Sequence, residues 1–311
     1  PVKQPMPIPL RVALFDRQNG GHRGEELVVL TKASDSFAFT GFAERPVLSI
    51  NRGFSAPVII DSDVSSEDLV FLAARDDDPF ARYEAMQSLI VQHLVAASQG
   101  ALDAAARETG RKAIGAAYRA IVTDPALDDL MRGELMILPS ETYLAERLAV
   151  ADPGVIHAER EGLKAWLGRA LAAQLAELHD RASAVPYSLE PAARGARKVK
   201  TQALVLLAAG QPEAAAGRAA AQYDGATNMT DRQGALMVLC GLDTPLRAAK
   251  LADFHARYAG NALVIDKWFS LQSGSLHPDV LTQVKALAAH GDFTMQNPNR
   301  VRALYMGFAV N

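Results

Sequence analysis

The chain has 311 residues, of which 49% are apolar and 22% charged, and its formal net charge is −3. That length exceeds the usual single domain, so two domains are expected, with ample material for a buried core. With 32 basic against 35 acidic residues there is no basic field of the kind that binds nucleic acid, and alanine outnumbers aromatics, which favours helix.

In chain order, residues 1–7 contain neither an initiator Met nor the charged and apolar regions of a signal peptide, so the chain is expected to begin inside a longer protein. Ile8, Leu10, Val12 and Leu14 alternate on one face of an extended segment. Gln18-Asn19-Gly20-Gly21 is a turn signal, and Leu27-Val28-Val29-Leu30 follows as a second strand. Short strands are further predicted at 36–40, 46–50 and 57–60. This texture ends near Asp61 and describes a small antiparallel β-sandwich over residues 1–61.

From Ser65 the apolar period becomes 3.6. Ser65-Ser66-Glu67-Asp68 opens a helix with acids at its positive end. Met86, Leu89, Ile90, His93 and Leu94 form a stripe, repeated by Val280, Leu281, Val284, Leu287 and Ala288 and by Val301, Leu304, Tyr305 and Phe308. Pro125, Pro139, Pro153, Pro212, Pro245 and Pro278 punctuate the sequence near helix starts, where a missing N–H costs nothing. The alanine-rich stretch from Pro212 is expected to be a helix. Residues 62–311 therefore predict roughly a dozen short-linked helices stacked as an irregular α-solenoid of the HEAT/ARM type, with no consensus repeat. The class is mainly α, a small β-sandwich followed by a helical array. No run approaches the ~20 apolar residues of a membrane span.

Residues able to do chemistry are few. Cys240, the single cysteine, excludes a disulfide framework and a thiolate zinc cluster, which points to a reducing, cytoplasmic location; inside an apolar run it is expected to fill core. The seven histidines show no metal spacing: there is no H-E-x-x-H and no pair at i, i+4. His93 lies on an apolar face and His157 in a charged one. Asp76-Asp77-Asp78 suggests either a cation site or, just before Pro79, the cap of the next helix. The basic patch 194–200 is expected to be a solvated face. Asn228-Met229-Thr230 fits both a glycosylation acceptor and an N-cap. Neither a catalytic residue nor a metal ligand is assigned. The segment 293–302 stands out, because Asn297 can cap a helix that Pro298 begins. Asn299, Arg300 and Arg302 then lie where unpaired N–H groups and guanidinium groups can receive a carboxylate. The bland alternative is a plain cap with surface arginines.

Several segments, in the same order, resemble bacterial aminopeptidase N, a family of zinc metallo-aminopeptidases of the thermolysin-like class. These are Gly20-Gly21-His22, Gly53-Phe54-Ser55-Ala56-Pro57-Val58, and Asp78-Pro79-Phe80-Ala81-Arg82-Tyr83-Glu84-Ala85-Met86-Gln87-Ser88-Leu89. Asn228-Met229-Thr230-Asp231, Asp266-Lys267-Trp268-Phe269 and residues 293–302 complete the set. The resemblance implies the family's sandwich domain, lacking its first strand, and most of its helical domain, cut short at the carboxyl end. It implies a non-catalytic portion of an enzyme that removes N-terminal amino acids from peptides. The zinc, held by H-E-x-x-H, and the amine-binding G-A-M-E-N belong to a catalytic domain absent from this sequence, so this chain has no cofactor of its own. Implied partners are the amino-terminal and catalytic domains and a peptide at a chamber wall, with Asn297, Asn299, Arg300 and Arg302 as candidates to meet it; nucleic acid and membrane are not among them. The competing expectation is a stand-alone α-solenoid that binds a protein partner.

Overall fold

The computed structural model describes residues 6–310. The chain divides into two compact units, residues 1–163 and 164–311.

In the first unit, β1 (Ile8–Phe15), β2 (His22–Leu30) and β3 (Val47–Ile50) form one antiparallel sheet in the order β2-β1-β3. Central β1 pairs Ile8 with Leu30 and Val12 with Glu26 on one side, and Phe15 with Val47 on the other. Its deepest residues are Val12, Ala13 and Phe15, so both of its faces are covered near the carboxyl end. The covering comes from Phe71, 5.9 Å from the Phe15 ring, and from His22, 4.8 Å away.

Strands predicted at 36–40 and 57–60 do not form. Residues 36–40 are almost wholly exposed and so bury no alternate face. Beyond β3 the chain is turned off the sheet by Asn51, whose side chain accepts from the Ala56 N–H (2.9 Å) and donates to the Ala56 carbonyl (3.1 Å).

Six helices follow: α1 (Ser66–Arg75), α2 (Pro79–Ser98), α3 (Ala104–Thr123), α4 (Asp129–Leu135), α5 (Glu141–Ala145) and α6 (Pro153–Ala170). Ser65 caps α1, accepting from the Asp68 N–H at 3.1 Å, and Asp103 caps α3 through the Ala106 N–H at 2.7 Å. The predicted stripe of α2, Met86 to Leu94 with His93, is buried throughout. Arg132, on α4, ties this layer together by donating to the carbonyls of Val122 (3.0 Å), Asp124 and Leu127 (both 2.7 Å), which α3 and its exit leave without helical partners.

Sheet and helices are joined by charge. Arg52 opens a single 3-10 turn (Arg52–Phe54) and is only 3% exposed. Its guanidinium lies 3.0 Å from Glu25, 3.2 Å from Asp76 and 2.5 Å from Asp77. Asp77 also meets His22 at 3.1 Å, while Asp78 caps α2 through the Ala81 N–H (2.8 Å) and accepts the Gly53 N–H (3.0 Å). Only the third aspartate of 76–78 therefore does what helix capping predicts; the other two hold Arg52. Burial pushes the Asp76 carboxyl up, against the pull of Arg52, whereas hydrogen bonds from Arg52 and His22 overcome burial at Asp77 and hold it low. The turn needs left-handed backbone at Asn51 (φ 59°) and Phe54 (φ 51°) as well as at Gly53, a conformation unfavourable for non-glycine residues.

In the second unit, α7 (Ala172–Ser183), α8 (Pro191–Gly210), α9 (Pro212–Gly225), α10 (Met229–Cys240), α11 (Pro245–Tyr258), α12 (Ala262–Ser273) and α13 (Val280–Ala288) follow one another. The last stretch is α14 (Pro298–Val301), a π turn (Arg302–Met306) and α15 (Gly307–Ala309). Proline occupies the first turn of α9 and α11, as the punctuation predicts, and of α14, as expected for Pro298; Pro191 opens α8 in the same way. Gly168 and Gly210 let the end of α6 and α8 approach backbone to backbone: a Cβ on either would collide with the main chain opposite. Tyr223, Leu236, Cys240, Phe254, Trp268, Phe269 and Leu304 form one core.

Three readings of helix faces are corrected. Lys200 is not on a solvated face; it is 6% exposed and paired at 2.7 Å with the equally buried Asp231, because α8 is covered there by α10. Leu281 is 49% exposed, at the edge of a stripe whose Val284 and Leu287 are buried. Tyr305 is 41% exposed although the 3.6 period places it inside. The π turn adds a residue to the helical repeat, moving Ala303 and Leu304 inward. That turn sits where Ser273 donates to the Ala303 carbonyl (2.8 Å) and where a side chain at Gly307 would strike Ser273.

Two outcomes are expected. Arg52→Met leaves Asp76 buried without its cation and lowers unfolding free energy by about 3–5 kcal/mol; urea denaturation measures it, and Arg52→Lys recovers only part, since one ammonium cannot span three carboxylates. In the second unit, paired hydrogen bonds from Arg247 (2.9 and 3.2 Å) hold the Asp279 carboxyl at about 2 instead of 3.8. A lowered acid pKa gives stability that is complete above about pH 4 and lost as pH falls through about 2. Arg247→Met therefore moves the acid-unfolding midpoint, followed by circular dichroism, to higher pH, with a change under about 1 kcal/mol at neutral pH.

Candidate functional site

The segment singled out by sequence lies in the second unit, between α13 and the π turn. Asn297 caps α14 as expected: its Oδ1 accepts the N–H groups of Asn299 (3.0 Å) and Arg300 (3.4 Å). Those are the groups that an incoming carboxylate would use, so the side-chain cap already occupies the helix start.

The two arginines part company. Arg300 is 5% exposed. Its guanidinium pairs with Asp266 on α12, donates to the carbonyl of Asp292 and to that of Ala262 (3.4 Å), and lies over the Phe269 ring at 4.8 Å. All of its faces are used inside the unit, where it joins α14 to α12 and to the turn after α13. Asn299 and Arg302 are exposed, and Asn297 is half-buried. The structure thus brings Asn297, Asn299 and Arg300 together as a cap and a brace, and leaves Asn299 and Arg302 as the members of the predicted set that face solvent.

Asp266, the acid that holds Arg300, is not singled out by sequence reasoning except as part of Asp266-Lys267-Trp268-Phe269. The two aromatics of that motif are packing residues. Trp268 is buried with its indole N–H donating to the Leu251 carbonyl (3.0 Å), and Phe269 has no exposure.

Other candidates resolve into structure. Cys240 is buried, and burial pushes its thiol up to about 12, the profile of an inert core thiol. Burial, reinforced by the charge of Arg111, pulls His93 below the ordinary imidazole value. His157 meets Glu141 at 2.9 Å on a half-exposed face. Asn228 caps α10, accepting the Asp231 N–H at 2.9 Å, so the N-cap accounts for it. In the first unit a groove of about 640 Å³ runs between β3 and α2, with Leu48, Phe54, Ile59, Phe80, Glu84 and Tyr143 in its walls. Its lining mixes these with polar residues, among them Ser49, Ser88 and Asp61.

Among the described residues no helix is long and apolar enough to cross a membrane. The sequence contains no H-E-x-x-H.

A small antiparallel β portion followed by an array of short helices defines a two-part, mainly α class of protein. Residues 66–311 match the family described as a domain of unknown function (DUF3458_C) of ARM repeats, and residues 1–63 match its companion of Ig-like fold (DUF3458). The chain belongs to this family. Aminopeptidase N of Escherichia coli (strain K12) is 32% identical over 319 residues, covering 99% of this chain and 36% of that protein. Aminopeptidase N of Caulobacter vibrioides is 35% identical over 288 residues, covering 92% of this chain and 33% of that protein. Among solved structures, Legionella pneumophila aminopeptidase A in complex with aspartic acid superposes with a TM-score of 0.81 at 27% identity, covering 98% of this chain and 36% of that one. The chain spans about a third of the length of the curated relatives it matches, and corresponds to the carboxyl-side portion of aminopeptidase N-like proteins.

The division of labour between the arginines has a direct consequence. Arg300→Met strands the Asp266 carboxylate and is expected to destabilise by an amount near the lower end of about 3–5 kcal/mol. Arg302→Met stays within about 0.5 kcal/mol of the parent. Paired urea titrations distinguish the two; equal losses contradict the assignment.

Proposed function

We propose that this chain is the non-catalytic scaffold of a zinc aminopeptidase that removes N-terminal amino acids from peptides, and that it walls the active-site chamber and limits entry. The observation carrying this reading is that similarity to an aminopeptidase N runs through 99% of the chain, while the sequence holds neither H-E-x-x-H nor G-A-M-E-N. Peptide-bond hydrolysis then belongs to zinc in a catalytic domain of the longer protein, and this chain is inactive alone. Its partners are that domain and the amino-terminal domain. The groove of the first unit, with Phe54 and Ile59 exposed in its apolar wall, is suited to be covered by a neighbouring domain. In the second unit Asn299 and Arg302, unlike Arg300, are placed to meet the carboxyl side of a peptide, because their side chains are exposed. A reducing, cytoplasmic setting fits the free thiol of Cys240.

The test is reconstitution. An amino-terminal portion carrying the zinc motif is made separately and assayed on peptides of several lengths, with and without this chain in excess. Addition is expected to change activity or length selectivity, and Arg302→Met to weaken the effect without altering zinc content. Unchanged kinetics with both pieces folded would falsify the chamber-wall reading and favour a helical module that binds some other protein.

A further inference from the structure

Beside the brace of Arg300, the second unit gathers three metal-ligating side chains that no local spacing announces. His255 comes from α11, while His290 and Asp292 come from the turn after α13. One nitrogen of each imidazole and a carboxylate oxygen of Asp292 lie within 4.8 Å of one another. His255 Nε2 is 2.5 Å from Asp292 Oδ2, and His290 Nδ1 is 3.8 Å from the same oxygen. His290 Nδ1 also accepts the Asp292 N–H at 3.2 Å, a contact that an ion bound at that nitrogen displaces.

We propose that His255, His290 and Asp292 form a binding site for a first-row transition-metal dication such as Zn²⁺, Ni²⁺, Co²⁺ or Cu²⁺, which staples α11 to the turn leading into residues 293–302. Two imidazoles and one carboxylate suit these ions and are poor ligands for Mg²⁺ or Ca²⁺. Bonds of about 2.0–2.1 Å at tetrahedral angles place donors about 3.3 Å apart. The His255–Asp292 pair, at 2.5 Å, opens by less than about 1 Å, and the widest separation, 4.8 Å at most, closes by about 1.5 Å. Side-chain rotation of half-exposed groups supplies such movements. Water completes the coordination on the open side, where Asp292 is exposed.

Both imidazoles pack against one buried ring. The Trp268 ring lies 4.8 Å from the His255 ring and 5.1 Å from that of His290, and its own N–H is anchored on Leu251. The two imidazole rings are 5.3 Å apart. Both ligand rings are thus oriented by one buried indole before any ion arrives, which lowers the entropic cost of binding. The nearby cation, Arg300, directs its charge to Asp266 and its remaining N–H groups to carbonyls, so its repulsion is largely offset.

The experiment titrates Zn²⁺ into the metal-stripped 311-residue chain by calorimetry in a non-chelating buffer near neutral pH. Cu²⁺ quenching of tryptophan fluorescence is measured in a Trp166→Phe background, where Trp268 alone reports. One ion per chain, saturable quenching, a raised melting temperature and weaker binding in acid are expected, since the imidazoles must be neutral. His290→Gln and Asp292→Asn, both at accessible positions, are each expected to weaken binding by about 10-fold or more while circular dichroism stays unchanged. Absence of stoichiometric binding overturns the site, as does binding or quenching that survives both substitutions.

Discussion

The first unit depends on the burial of one guanidinium. Arg52 draws Glu25 of the sheet and Asp76 and Asp77 of the helical layer to a single centre, and it is nearly inaccessible to water. A buried cation of this kind is tolerated only when its charge is paired, and the flanking backbone bends where the acids come in. That constraint explains the left-handed residues around Gly53, the Asn51 lock on Ala56, and the loss of the strand predicted just beyond. The same turn delivers the Gly53 N–H to Asp78, so the sheet and the start of α2 share one residue.

Arginine repeats this role through the helical part. Arg82 donates to the carbonyls of Ala73 and Ala74 at the end of α1 (2.8 and 3.0 Å), and Arg132 serves the end of α3. Arg300 gathers Ala262, Asp266 and Asp292. The forks of Arg82 and Arg132 satisfy carbonyls that helices leave unpaired at their ends, and that of Arg300 ties the start of α12 to the turn after α13. An array of many short helices has many such ends. Residues that look like a charged surface in the sequence therefore become the interior joints of the stack.

The same bracing decides which side chains of residues 293–302 face solvent. The most conspicuous candidate, Arg300, is committed to the brace. The solvent-facing chemistry falls to Arg302 and Asn299, and to the imidazole pair gathered over Trp268. Bracing and recognition sit within one short stretch, so a ligand on the His255–His290 pair would act on the same turn that Arg300 fixes.

Sequence by itself determined the change from a period of two to a period of 3.6 near residue 61, the caps at Ser65, Asp78, Asn228 and Asn297, and the prolines that open helices. Each of these is decided by bonds within a few residues of the chain, so local pattern suffices. It also carried the family, through motifs such as Asp78-Pro79-Phe80 and Asp266-Lys267-Trp268-Phe269. Only tertiary structure decided that Lys200 is buried against Asp231, that Arg300 faces inward, and that a π turn rotates Tyr305 out of its stripe. It alone united His255 with His290. These outcomes depend on which helix covers which face, and a charged side chain reads the same in sequence whether its partner is water or an acid brought from another element.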